Sequence, residues 1–287
     1  MNLPHLREQD SHDLAALAGM ARADAGLNLP PAKHPMMRAR LRKRMAAIGC
    51  ADLASYRALV EGPGGRDERL RMVRALTTHV SHFFREPHHF DILRTLVLPP
   101  LVARARQGAR VRLWSAGAAR GQEAYSMAMV LADLMPDAPR HDIRILATDL
   151  DPAVIEDARL GLVPPDDLAR LPAGHAGRFL HPSTMGWEVS PRIRDLLDFR
   201  VENLHQPWPA RARFDAVFCR NVLIYFDIPG CEALLARLAA AIAPGGWLFL
   251  GHAERLSGPA GHLFIQAGRT CFRRTGEGVR QPSAMSE

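Results

Sequence analysis

The sharpest constraint in this sequence is a change of hydrophobic period near residue 111. Beyond it, short runs rich in β-branched and aromatic residues at 111–115, 143–148, 199–202, 214–220 and 247–250 alternate with helical patterns at 121–134, 152–160 and 228–243. Strands separated by helix-length segments do not form hairpins with one another; they pair in parallel, with crossover helices on the faces of the sheet. The third helix stops at Pro244-Gly245-Gly246, where proline cannot continue a helix and glycine makes the turn. Two closing runs, 263–267 and 270–273, would finish the sheet with a hairpin. An α/β domain is therefore expected.

The first part reads differently. Apolar residues recur at helical spacing in three groups: Leu14, Leu17 and Ala18; Met37, Leu41, Met45 and Ile48; Leu70, Val73 and Leu76. Gly62-Pro63-Gly64-Gly65 separates two of the helices. This predicts an all-helical domain over 1–90 and a second domain over 91–287. Within the latter, 161–197 is rich in Pro, Gly and Arg and too long for a simple connection, so it is read as an inserted subdomain. The ends, 1–9 and 277–287, lack apolar periodicity and are expected to fray.

With 287 residues, 47% of them hydrophobic, the chain can bury a substantial core. No apolar run approaches the ~18 residues a membrane span needs, and His5, Arg7 and Glu8 stand where a signal peptide would be apolar, so a cytoplasmic protein is expected. Cys50, Cys219, Cys231 and Cys271 are widely separated and form no CxxC pair, which favours packing thiols over disulfides or zinc ligands. A net charge of +7 favours an acidic partner without choosing among nucleic acid, an anionic membrane and an acidic protein.

One candidate site stands out. Leu113 to Gly121 passes from strand into a small-residue loop, and a helix follows; backbone free of bulky side chains lets a ligand approach at the C-terminal edge of the sheet. Asp149 closes the next strand, where a carboxylate can accept hydrogen bonds from both ribose hydroxyls of an adenosine. Asp151 suits the cap of the helix starting at Pro152, which leaves Asp149 for that role. Only Gly117 and Gly121 are present, without GxGxxG, and Asp149 comes late for a dinucleotide fingerprint. A nucleoside without phosphates, such as S-adenosylmethionine, fits better.

Five blocks carry a family likeness: Thr77-Thr78-His79-Val80-Ser81-His82-Phe83-Phe84-Arg85-Glu86; the 115–126 loop with Glu123-Ala124-Tyr125-Ser126; Ala147-Thr148-Asp149-Leu150-Asp151; Cys219-Arg220-Asn221-Val222-Leu223-Ile224-Tyr225-Phe226; and Gly251-His252-Ala253-Glu254. In this order and spacing they resemble the CheR-type chemoreceptor glutamate O-methyltransferases. The resemblance implies a Rossmann-like class I methyltransferase sheet, an N-terminal helical domain for receptor recognition and a small inserted β-subdomain. It implies S-adenosyl-L-methionine as cofactor, with S-adenosyl-L-homocysteine as product. His79, Ser81 and Arg85 would reach over the cofactor, with Glu123 near its amino group, Asp149 on the ribose, Asn203 and Leu204 after the third strand, and Asn221 and Val222 after the fourth. His79 and Ser81 stand where the family often has Asn and Thr. Ala119-Arg120-Gly121-Gln122-Glu123-Ala124 replaces a frequent Ser-Thr-Gly-Glu-Glu-Pro.

The implied reaction is in-line methyl transfer to a glutamate γ-oxygen of a chemoreceptor, giving a γ-glutamyl methyl ester in chemotaxis adaptation. Arg85 would guide the carboxylate and Tyr225 would assist, although an aromatic filling the sheet edge explains Tyr225 equally well. The partners implied are the acidic methylation helices of methyl-accepting chemoreceptors, with no nucleic acid, no membrane insertion, recruitment to membrane receptor arrays, and a monomeric enzyme. Wound as a helix, 36–45 would bury Met37, Leu41 and Met45 and turn Arg40, Arg42 and Lys43 outward toward such a partner. Between Phe179 and Ile193 only Gly186 is present, so a glycine-rich β-loop that grips a receptor tail looks shortened. His79, His82, His88 and His89 have no Cys or paired carboxylate completing a ligand set, and no metal is expected. The alternatives are a nucleic-acid methyltransferase, favoured by the basic charge but lacking a polar-Pro-Pro-aromatic loop, and a non-catalytic module that keeps the fold.

Overall fold

A computed structural model describes residues 3–208 and 213–276, and they form two compact units. The expected frayed segment 277–287 lies outside the described residues. At the other end helix α1 (Leu3–Ala25) begins well before Asp10.

The helical unit comprises the chain up to Thr78 with His205–Pro207 and Tyr225–Gly230. After α1 come α2 (His34–Ala47), α3 (Leu53–Glu61) and α4 (Arg66–Leu76). Asp52 caps α3 by accepting from the Ser55 N–H at 2.8 Å. The core is Leu14, Leu17, Met37, Leu41, Tyr56, Met72, Val73 and Leu76. Leu70, expected on the apolar stripe, is exposed, because α4 turns Glu68 and Met72 inward instead. Glu68 is accommodated by pairing: Arg44 Nε donates to Oε1 at 2.6 Å and the Tyr56 hydroxyl to the same oxygen at 3.0 Å. The expected outward turn of Arg40 is also corrected. Its guanidinium donates to the carbonyls of Leu76 and Thr77 at 2.6 and 3.0 Å, satisfying the open C-terminus of α4, while Arg42 and Lys43 are exposed.

The sheet-bearing unit starts at His79, not near residue 90 as expected, because Phe83 and Phe90 are buried in its core. It contains α5 (Pro87–Ile92), a π-helical turn, α6 (Leu98–Arg106), β1 (Val111–Ala116), α7 (Gln122–Leu134), β2 (Ile143–Asp149) and α8 (Pro152–Leu160). The insertion follows: β3 (Leu162–Val163), α9 (Pro165–Leu168), α10 (His175–Phe179), β4 (Leu180–Ser183), β5 (Gly186–Val189) and α11 (Pro191–Arg194), with β3, β5 and β4 forming a three-stranded antiparallel sheet. Then come β6 (Leu197–Val201), β7 (Phe214–Cys219), α12 (Ile228–Ala241), β8 (Ile242–Leu250), β9 (Phe264–Gly268) and β10 (Cys271–Arg274).

The main sheet has the order β6-β2-β1-β7-β8-β10-β9, parallel from β6 to β8 and closed by an antiparallel hairpin. Both faces carry helices, so its strands are buried almost throughout, with Trp114, Phe218 and Phe249 among the largest fully buried side chains. β8 starts five residues before the expected strand. Pro244, Gly245 and Gly246 lie inside it as a register slip, since Phe214 faces Ile242 but Ala216 faces Trp247. All four cysteines are free, and burial pushes the Cys271 thiol up to about 12. No helix among the described residues is long and apolar enough to cross a membrane.

Burial pushes the Glu68 carboxyl up, but the hydrogen bonds from Arg44 and Tyr56 outweigh it and hold the group below its ordinary value. Replacing Glu68 by Ala is expected to destabilise the helical unit by about 3 kcal/mol at neutral pH, through the unpaired Arg44 and Tyr56. The depressed folded-state value means that the stabilisation is complete above the unfolded carboxyl's pKa of about 4.3 and fades as pH falls through the folded value. Calorimetric unfolding at pH 7 and pH 3 checks both; a deficit unchanged by acid would contradict the ion-pair origin.

Candidate functional site

Strand order reverses between β1 and β7: from β1 the chain adds β2 and β6 on one side, then β7 and β8 on the other. Such a switch point opens a crevice at the C-terminal ends of the strands, and the 117–121 and 221–223 loops both leave there. Gly117, at φ +82, lies against Val222, whose Cγ2 would collide with any side chain at residue 117. Glycine is what lets these two loops close on each other.

The end of β2 is tied to the same edge. Gly117 and Ala118 both donate backbone N–H bonds to the Thr148 carbonyl at 2.8 Å. Asp149 is not left free as expected: Oδ2 accepts from Ala119 N–H at 2.9 Å and Oδ1 from Asp151 N–H at 3.0 Å. Two backbone bonds still leave part of a carboxylate's acceptor capacity open. Asp151 caps α8 through the Ala153 N–H at 2.8 Å, as expected. His79 Nε2 lies 3.5 Å from Asp149 Oδ1, so that pair is brought together. The Glu202 N–H donates to the Asp149 carbonyl at 2.9 Å, which puts Asn203 just past β6 on this edge. Leu204 is buried, and Arg237 holds its carbonyl at 2.6 Å.

Arg220, which no sequence argument singled out, links the remaining pieces. Its side chain is almost fully buried; Nη1 lies 3.2 Å from Glu123 Oε2, Nη2 lies 3.6 Å from Glu86 Oε1, and Nη2 also donates to the Arg85 carbonyl. The signal available was a charged residue directly after the apolar run of β7. Glu123 accepts from the Ser115 hydroxyl at 2.6 Å through its other oxygen. Burial pushes the Glu123 carboxyl above its ordinary value, against the pull of Arg220 and Ser115. Arg85 donates from Nη1 to the Val80 carbonyl at 3.2 Å, and Ser81 is half-buried on the same segment. Burial, with the Arg220 and His88 charges, holds His89 down at about 4. Tyr225 belongs to the helical unit, where its hydroxyl donates to the Thr78 carbonyl at 3.0 Å.

The loop after β7 hangs on Glu254, whose role was also missed. Oε1 accepts from the Val222 and Leu223 N–H groups at 2.7 and 2.8 Å, and Oε2 from those of Asn221 and Gly251 at 2.9 and 2.6 Å. Non-glycine residues at positive φ among the described residues are Phe84, Glu86, Ala119, Asn221 and Thr270, and the first four sit in the segments just described. Left-handed backbone costs on the order of 1 kcal/mol or more per residue and persists where surroundings over-determine it. These segments are therefore held ready in one conformation. Glu254→Ala removes the acceptor of four backbone donors and is expected to lower unfolding free energy by about 3 kcal/mol in denaturant titrations, with Glu254→Gln between it and wild type; wild-type stability for Glu254→Ala would remove the carboxylate from this account.

Two family models match the chain: "CheR methyltransferase, all-alpha domain" over residues 12–77, and "CheR methyltransferase, SAM binding domain" over 79–271. A probable chemotaxis protein methyltransferase of Rhizobium etli is 40% identical over 264 residues, covering 91% of this chain and 98% of its own. The chemotaxis protein methyltransferase of Escherichia coli is 37% identical over 256 residues, covering 86% and 85%, and chemotaxis protein methyltransferase 2 of Pseudomonas aeruginosa is 35% identical over 254, covering 86% and 87%. Helical and cofactor-binding parts match in one chain, in the order and almost at the boundary of the two structural units. The chain belongs to the CheR methyltransferase family and is an S-adenosylmethionine-dependent methyltransferase of chemotaxis.

Proposed function

We propose that the chain esterifies glutamate side chains on the cytoplasmic helices of chemoreceptors, in the cytoplasm and at membrane receptor arrays. The observation that carries the reading is the set of preformed loops at the switch point, stitched by Asp149 and Glu254 around Gly117 and Val222. They fit an adenosine: a glycine-lined approach, and a buried carboxylate with acceptor capacity to spare for ribose hydroxyls. S-adenosylmethionine supplies an electrophilic methyl group on a sulfonium. Asp149 would bind its ribose, with Asn203 and Leu204 beside it. Glu123 would face its amino group, Asn221 and Val222 would line the adenosine side, and His79, Ser81 and Arg85 would cover it.

A surface glutamate with a pKa of about 4.3 is already ionised at neutral pH, so the protein needs no general base. Its work is alignment: holding an oxygen within ~3–3.5 Å of the methyl carbon and excluding water from the carboxylate. Arg85 suits that task, since one arm of its fork can hold one carboxylate oxygen while the other oxygen reacts. The rigid backbone around it, fixed by Arg220 at the Arg85 carbonyl, supports a defined position. Tyr225 would assist; its bond to Thr78 favours a structural role in the helical unit beside the catalytic one.

Incubation with methyl-labelled cofactor and receptor-rich membranes should give label released as methanol by alkali, the signature of a carboxyl ester; alkali-stable label or none would contradict the substrate assignment. Arg85→Ala is expected to lower kcat about 100-fold, whereas Tyr225→Phe at wild-type turnover would remove that hydroxyl from the mechanism. For recognition, the exposed Arg42 and Lys43 on α2 offer positive charge to an acidic helix. Reversing both to Glu is expected to weaken receptor binding about tenfold at low salt and much less at 0.5 M salt, with cofactor binding unchanged; equal receptor affinity in a pull-down titration would discard that face.

A further inference from the structure

Three ligand-type atoms in the sheet-bearing unit are buried and hydrogen-bonded to nothing: Glu86 Oε2, His88 Nε2 and His89 Nδ1. The same three residues each offer one ligand atom, and those atoms lie within 4.8 Å of one another. Buried polar atoms left unpaired cost about 1–3 kcal/mol each, and native proteins carry few of them, so three converging on one spot call for a partner.

The tautomer of His89 sharpens this. Its ring is fully buried, with Nε2 at 3.2 Å from the Arg269 carbonyl and 3.0 Å from the Thr270 hydroxyl. A carbonyl only accepts, so Nε2 carries the proton and the neutral ring presents its Nδ1 lone pair to Glu86 Oε2 at 3.5 Å. Two acceptors then face each other. This is the arrangement found around bound cations: a ligating nitrogen whose ring partner is held by a backbone carbonyl. Electrostatics points the same way, since Glu86 and Glu123 share the single guanidinium of Arg220. Arg220 sits on Oε1, the oxygen that also faces His252, so Oε2 stays available.

Backbone strain keeps the cluster assembled. Glu86 is left-handed, at φ 59 and ψ 69, immediately before α5, which carries its carboxylate back over His88 and His89 in the first turn. The sequence placed the histidines without a carboxylate to complete them; the left-handed turn at Glu86 provides one.

We propose that Glu86, His88 and His89 form a binding site for a divalent cation of the zinc type, with two imidazoles and one carboxylate, and with water completing four-coordination. Ligands about 2.1 Å from a tetrahedral ion lie about 3.4 Å apart, so side-chain rotations that draw the three groups inward by about 1 Å close the triangle. The ion would pin the left-handed turn beside Arg85 to the 269–270 segment through His89. This site is independent of the methyl-transfer reading.

Full-length protein stripped with chelator and titrated with Zn2+ against a chromophoric chelator is expected to take up one equivalent with Kd below about 1 µM, and its melting temperature should rise. Glu86→Gln and His88→Gln should each weaken uptake at least tenfold. His88 is half-buried with Nε2 unpaired, so His88→Gln should not lower the metal-free melting temperature, which separates ligand loss from misfolding. Failure of the wild type to hold one equivalent, or equal uptake by wild type and both variants, meaning an adventitious ion on other histidines, overturns the proposal.

Discussion

A parallel sheet ends, at its C-terminal edge, in loops whose backbone donors no longer have a strand to pair with, and those donors must be satisfied before any ligand can use the edge. Here two buried carboxylates do it. Glu254 collects four N–H groups from the ends of β7 and β8, and Asp149 collects two from the loops after β1 and β2. Each side chain is paired almost entirely with backbone, so the loops are fixed in position. The strained residues Ala119 and Asn221 survive inside this scaffold because the carboxylates hold the chain on both sides of them.

Arg220 extends the same logic to the segment that precedes the sheet. A guanidinium buried at the end of β7 needs charge partners, and Glu123, Glu86 and the Arg85 carbonyl meet its two terminal nitrogens. One buried cation thus connects the first turn of α7, the β7 loop and the 84–86 turn. In the proposed mechanism, where alignment of an already ionised carboxylate is the main task, such rigidity is the protein's principal contribution.

Much of the fold was legible because its signals are local. The positions of β1, β2 and β7, the cap at Asp151 and the closing hairpin follow from period and turn chemistry in short windows. What escaped depends on tertiary pairing. Leu70 looked like core until Glu68 took the inward face with Arg44 and Tyr56; Arg40 looked like surface until α4 ended beside it. The domain boundary shifted for the same reason, since Phe83 and Phe90 choose the larger core. Among site residues, Asp149 was visible as a carboxylate closing a strand, and Glu123 only through the family likeness. Their ties to Ala119 and Arg220, and three of the four bonds to Glu254, are contacts between segments 30 or more residues apart, which no periodicity reports.

The central claim is that a nucleoside pocket stands preformed where the loops after β1, β2 and β7 meet. A crystal structure with S-adenosylhomocysteine tests it most directly. The account predicts ribose hydroxyls on Asp149 and adenosine against the outer side of the 117–121 and 221–223 loops, with their backbone moving by less than about 1 Å; a nucleoside bound elsewhere, or loops that take this form only when it binds, would contradict it.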